Sequence, residues 1–190
     1  MTARVLLCVA SLAAGGTGTA FAAGNDLDEI RAATVKYKDV NVALAEGFVP
    51  APPGCVSAAA EGLPAEMGAM GIHYIHPGMM GLNPPGGRVS GNGLVTDFAT
   101  PTVLLYEPQA DGSLEFLGVE NLVFKEAWEA AGHEGPPMFG EQMWDSMADM
   151  PGTDGDEAHG FEAHYDLHVW TERENPVGTF APFNPAVSCP

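Results

Sequence analysis

Only Cys55 and Cys189 remain to pair once the first 22 residues are read as a secretory signal. A bond between them would tie the start of the remaining chain to its last two residues. Few other features restrict the fold as strongly. The signal reading rests on three parts: a basic start at Arg4, an apolar run from Val5 to Ala14, and Ala20-Phe21-Ala22, which fits the A-x-A cleavage rule. The run is too short to cross a bilayer, which takes about 20 residues, and no later stretch qualifies. Cys8 follows Leu7 rather than a small residue and lies too early for a lipoprotein. The expected location is therefore secreted or periplasmic, without membrane insertion. In an oxidising compartment two cysteines most simply form one disulfide, and a loop this long credits it with roughly 4–5 kcal/mol. Thiol ligation of a metal, or two free thiols, are the alternatives.

Residues 23–190 are long enough for one globular domain with its own core. The 7 basic and 25 acidic residues give a net charge of −18. The imbalance comes from scarce Lys and Arg rather than from abundant acid. Such a surface repels phosphate backbones, which argues against nucleic acid as a partner. A metal ion or a small molecule is the expected partner.

Asn25 to Phe48 reads as helical. Asp26 with Glu29 resembles a capping box, Leu27, Ile30, Ala33, Tyr37 and Val40 follow helical spacing, and Gly47 is a stop. Lys38-Asp39 and Asn41 interrupt the pattern, so the second half can form a separate short helix. Pro50 to Cys55 reads as a loop. Gly71 to Ile75, Thr102 to Tyr106, Leu114 to Phe124 and His164 to Thr171 have the β-branched and aromatic content of strands, with Asp111-Gly112 marking a hairpin-type connection. Lys125 to Ala131 suits one or two helical turns. Gly132 to Gly160 reads as a long excursion with a helical turn near Gln142 to Met147, where Met143, Met147 and Met150 would share a side. The fold class is α+β, an N-terminal helical segment packed on an antiparallel β-sheet or small β-barrel.

Metal-ligand side chains crowd together in two places. Met67 to Met80 holds His73, His76 and four methionines, and Met67, Met70, His73, His76 and Met79 fall at every third position. Imidazole suits copper and zinc, and thioether sulfur favours Cu(I). A polyproline-like stretch would align the series on one edge. The plainer reading is a Met-rich core segment with two structural histidines. Pro77 argues against a strand running through His76. In His164 to Trp170, a strand puts His164, Asp166, His168 and Trp170 on one face, with the two histidines roughly 13 Å apart. At most one of them then belongs to any single centre. Glu107 and Glu120 sit in or beside apolar runs, where a carboxylate needs a partner, and either could complete such a centre. His133 and His159 lie in the polar excursion and read as solvent residues. The G-x-S-x-G, H-E-x-x-H and P-loop signatures are all missing.

Gly71-Ile72-His73-Tyr74, Leu105-Tyr106-Glu107-Pro108, Gly118-Val119-Glu120, Leu167-His168-Val169-Trp170 and the ending Asn175-Pro176-Val177-Gly178-Thr179-Phe180 with Asn184-Pro185-Ala186-Val187-Ser188-Cys189 resemble a group of uncharacterised exported bacterial proteins. The resemblance covers most of the chain after residue 22 and is most specific at the C-terminal end. It implies an extracytoplasmic single domain and points to His73, Glu120 and His168 as the matching positions. His76 and the surrounding methionines lie outside that pattern. The expectation is an exported protein with a His/Glu centre for copper or zinc at His73, Glu120 and His168, with His76, His164 and Glu107 as alternates. Storage, delivery or catalysis would all suit it. The competing expectation is an extracytoplasmic small-molecule binding module with a mainly apolar pocket, where the histidines serve as hydrogen-bonding groups.

Overall fold

The computed structural model describes residues 23–152 and 158–190, so the signal read over residues 1–22 lies outside the described residues. The chain opens with helix α1, Ala23–Thr34, a 3-10 turn, Val35–Lys38, and helix α2, Val40–Ala45. The break falls where the apolar pattern is interrupted. Asp39 leaves the helical conformation and caps α2, its carboxylate accepting from Asn41 N at 3.0 Å. Gly47 follows with φ +101°, the left-handed conformation that ends a helix. Helix α1 starts earlier than the Asp26/Glu29 pair suggests, which places Asp26 inside the first turn rather than at the cap.

A six-stranded antiparallel sheet follows. Its strands are β1 (Val49–Ser57), β2 (Ala69–Ile75), β3 (Val103–Pro108), β4 (Leu114–Phe124), β7 (Asp145–Met147) and β8 (His164–Val169), in the order β1-β2-β3-β4-β8-β7. The short strands β5 (Met138–Phe139) and β6 (Gln142–Met143) pair separately, and helix α3 spans Lys125–Ala130. The α+β expectation holds, with the sheet curled rather than closed. Two local readings are corrected. Pro50 to Cys55 is part of an edge strand rather than a loop. An edge tolerates prolines because one side of its backbone needs no ladder partner, and the pairing with β2 is irregular between Pro50 and Cys55. Gln142 to Met147 holds no helical turn: β7 supplies the other edge of the sheet, while Trp144 is buried between β6 and β7. The methionines there therefore share no helix face.

Both sheet faces are covered. On one, Tyr74, Leu104, Tyr106, Val119, Val123, Leu167 and Val169 pack against Ile30, Tyr37, Ala43 and Phe48 of the helical segment. Burial is worth about 1.5–3 kcal/mol for each large apolar side chain. Tyr106 Oη donates to Tyr37 O at 2.8 Å, and Arg31 Nε donates to Thr171 O at 2.8 Å, which ties α1 to the chain just past β8. The opposite face carries Val103, Leu105, Leu117, Leu122 and Phe124, with Met80, Trp170 and Val187 laid over them.

Alternation is reset on β2 and on β4, at neighbouring points on either side of β3, whose own alternation is unbroken. Between β3 and β4 the register slips after Leu105, so Phe116 faces the helical segment and Glu120 the opposite side. Gly71 of β2 lies against that slip with φ +93°, and a Cβ there would stand 2.5 Å from Tyr106 O. Only glycine fits.

The C-terminal tail closes one end of the sheet. Asn184 exchanges backbone hydrogen bonds with Ala69, and Trp170 Nε1 donates to Ala181 O at 2.7 Å. Cys189 is bonded to Cys55 of β1 across a separation of 134 residues, with the Cα atoms 5.6 Å apart. Replacing both cysteines with serine should lower the unfolding free energy by up to about 4–5 kcal/mol and keep the fold. Denaturant unfolding followed by circular dichroism measures this, and loss of the β-sheet spectrum in buffer would contradict it.

Candidate metal centre

Register alone lines up most of the site. Ile75, Val103, Glu120 and His168 stand directly opposite one another across β2, β3, β4 and β8, and His73 lies two residues from Ile75 on the same face. In a flat sheet, three strand spacings of about 4.8 Å would separate the backbones of β2 and β8 by about 14 Å. The curl folds that span inward, and the site lies on the concave face. His73 Nε2 and His168 Nε2 are 3.4 Å apart, and each is close to Glu120 Oε2, at 3.3 and 3.4 Å respectively.

These separations would suit a bound ion. Zinc bonds of about 2.0–2.1 Å in tetrahedral geometry put ligand atoms about 3.3–3.4 Å apart. Among the described residues, this is the one group of three His, Cys, Asp or Glu side chains that could hold a metal ion. Glu120 and His168 are buried and His73 is half-buried. Glu120 Oε2 accepts no hydrogen bond despite its two close imidazole neighbours. The two Nε2 atoms are within hydrogen-bond distance of each other, and with Glu120 Oε2 they surround a point that one ion could occupy. His168 Nδ1 is also buried without a partner, and the ring stacks near Trp170 with centroids 6.4 Å apart. With its proton on Nδ1, His168 presents the Nε2 lone pair to that point.

Electrostatics favour the ligand forms. Burial would raise the Glu120 carboxyl, but the His168 and His73 imidazoles reverse this and hold it below the ordinary carboxylate range. Burial pushes the His168 imidazole down, with Glu120 acting against the shift. A low carboxyl value and a low imidazole value both leave metal-binding lone pairs free near neutrality. Nearby, burial and the Glu120 and Asp145 charges push the Asp166 carboxyl well above its ordinary range, and Asp166 Oδ1 has no partner. Asp145 stands directly opposite it on β7.

None of the alternates joins the trio. His76 Nδ1 accepts from Met79 N at 3.1 Å and its Nε2 lies 3.0 Å from Glu46 O, so both ring nitrogens are occupied away from the centre. His164 lines the same cavity, but its Nδ1 is bonded to Glu162 O at 2.9 Å and it stands outside the trio. Glu107 clamps the C-terminal tail: Oε1 accepts from Ser188 N at 2.8 Å and Oε2 from Arg173 Nη2 at 2.9 Å. The every-third alignment of Met67 to Met79 is not formed, because β2 stops at Ile75 and the chain turns through Pro77–Gly81. Met70 and Met80 nevertheless line the cavity beside His73, Met70 through the reset at Gly71. No spacing rule would have singled out these two. His133 is exposed and stacks on Trp128, while His159 Nδ1 lies 2.9 Å from Glu61 Oε2.

Comparison with protein-family models, with curated proteins and with solved structures finds nothing that matches this chain. No helix among the described residues is long and apolar enough to cross a membrane.

The placement of Glu107 makes a pH prediction. Burial raises its carboxyl, but Ser188 and Arg173 outweigh this and hold it below the ordinary value. A depressed folded value contributes stability above the unfolded value of about 4.3 and loses it as pH falls below that. Glu107→Gln should therefore cost about 1.5–3 kcal/mol at pH 7, the range for hydrogen bonds to charged groups. The gap from the parent protein should close on acidification through pH 4. Equal melting temperatures at pH 7 would contradict it.

Proposed function

We propose that this protein is exported and holds one transition-metal ion, copper or zinc, between His73, Glu120 and His168. The observation that carries the reading is the buried Glu120 Oε2, which accepts no hydrogen bond and stands 3.3 and 3.4 Å from two imidazole nitrogens. A buried carboxylate needs a positive partner. The chain has only seven Lys and Arg, and none of those among the described residues lines this cavity. A metal cation meets that need and gives both Nε2 lone pairs a common target. Two histidines and a carboxylate form a ligand set used by catalytic zinc, and imidazole equally suits copper.

The signal-like start, the disulfide and the resemblance to exported bacterial proteins support an extracytoplasmic setting, where such a centre could store, deliver or use its ion. A second reading, a small-molecule binding module, is favoured by the cavity walls, which are mostly apolar.

Metal titration separates the two. Metal-free protein should bind one equivalent of Zn(II) or Cu(II) by calorimetry. Excess ion at about 100 times the dissociation constant should add about 2.7 kcal/mol of stability. Glu120→Gln and His168→Ala should each weaken binding on the order of 100-fold or more, beyond the 10–100-fold that losing a supporting residue costs. Unchanged affinity in both variants would remove the site, and so would an absence of binding by folded parent protein.

A further inference from the structure

The three side chains all rise from the concave face of the sheet, so an ion bound to them is held from one side only. Its remaining coordination positions face the cavity. That cavity measures about 130 Å³, close to the ~150 Å³ of an engineered apolar cavity that takes up benzene. Met70, Ile75, Met80, Val103, Leu122 and Phe161 supply apolar wall. The polar groups beyond the trio are chiefly acids and imidazoles: Asp166 and His164, with Glu61 and His159 paired among the more exposed lining residues. Among the described residues no Lys or Arg lines it.

Building on the metal reading above, we propose that the open position takes the head group of a compact apolar molecule, with aromatic carboxylates and phenols as the fitting class. The head group binds the ion, and the ring fills the space between Met70, Met80, Leu122 and Phe161. The walls limit the ligand to a single charged group. A second anionic end would find no Lys or Arg among the described lining residues to pair with, and burying it unpaired is costly. An ion with three protein ligands and one exchangeable position is the arrangement of reactive zinc sites, whereas structural sites are closed. Closure by a Met70 or Met80 thioether is the competing arrangement, and it would leave no room for an outside ligand.

Cobalt(II) reports on both questions through its visible absorption bands. Metal-free protein is loaded with Co(II), then titrated in parallel with acetate and benzoate, which share a head group and differ in apolar body. The expected result is that both change the bands and benzoate binds at least tenfold more tightly, because only benzoate buries a ring. Ile75→Phe, which fills the cavity beside His73, should keep the cobalt bands and lose the benzoate preference. Equal affinities for the two acids would overturn the proposal. Cobalt bands that neither acid alters would overturn it while leaving the metal reading intact. Folded protein that gives no cobalt bands at all would remove both.

Discussion

Taking a carboxylate out of water into a sheet interior costs several kcal/mol unless new partners replace its hydration. Glu120 incurs that cost in the middle of β4, 4 % exposed, in a chain with few basic side chains to offer. Its close partners are two imidazoles that arrive from strands on opposite sides, one from β2 and one from β8. Everything that fixes those two strands around β4 therefore bears on whether the carboxylate is satisfied. An ion bound at their meeting point would convert three mutually crowding lone-pair donors into ligands, and a costly burial would become a functional centre.

Two other constraints hold the strands where the carboxylate needs them. The helical segment covers the convex face with an apolar layer that ties α1 to the end of β8 through Arg31. The C-terminal tail fixes the opposite end: Asn184 pairs with Ala69 just before the histidine-bearing part of β2, Glu107 grips Ser188, and the disulfide anchors the tail to β1. Neither touches the centre. The first is tied to the chain just past β8, and the second to β1 and β2.

The fold class was legible because four strands carry dense β-branched and aromatic runs and the helical segment carries its own spacing. The break before α2 was legible too, at Asp39. Within one strand, alternation correctly put His164, Asp166 and His168 on a shared face. It failed where register slips. Strict alternation from Phe116 would put it on the same face as Glu120, yet the slip near Leu117 and Gly118 sends them to opposite sides. Gly71 does the reverse for Met70 and His73: three residues apart, they would face opposite sides, yet both line the cavity. Bulges depend on contacts with a neighbouring strand, so no local pattern announces them. The meeting of His73 with His168 is likewise a property of curl and long-range pairing rather than of any motif, and the trio entered through resemblance rather than spacing. Pro50 to Cys55 misled because proline-rich sequence reads as loop, whereas an edge strand can hold it.

The central claim is geometric: one ion, three named atoms, one face of one sheet. The most direct measurement is anomalous diffraction from crystals of the zinc- or copper-loaded protein, recorded on both sides of the metal's absorption edge. A single strong peak is expected about 2.0–2.2 Å from His73 Nε2, His168 Nε2 and Glu120 Oε2, the range of such bonds. A peak at other residues, or imidazoles more than about 8 Å apart with no shared density, would contradict it, since two ligands of one ion cannot stand that far apart.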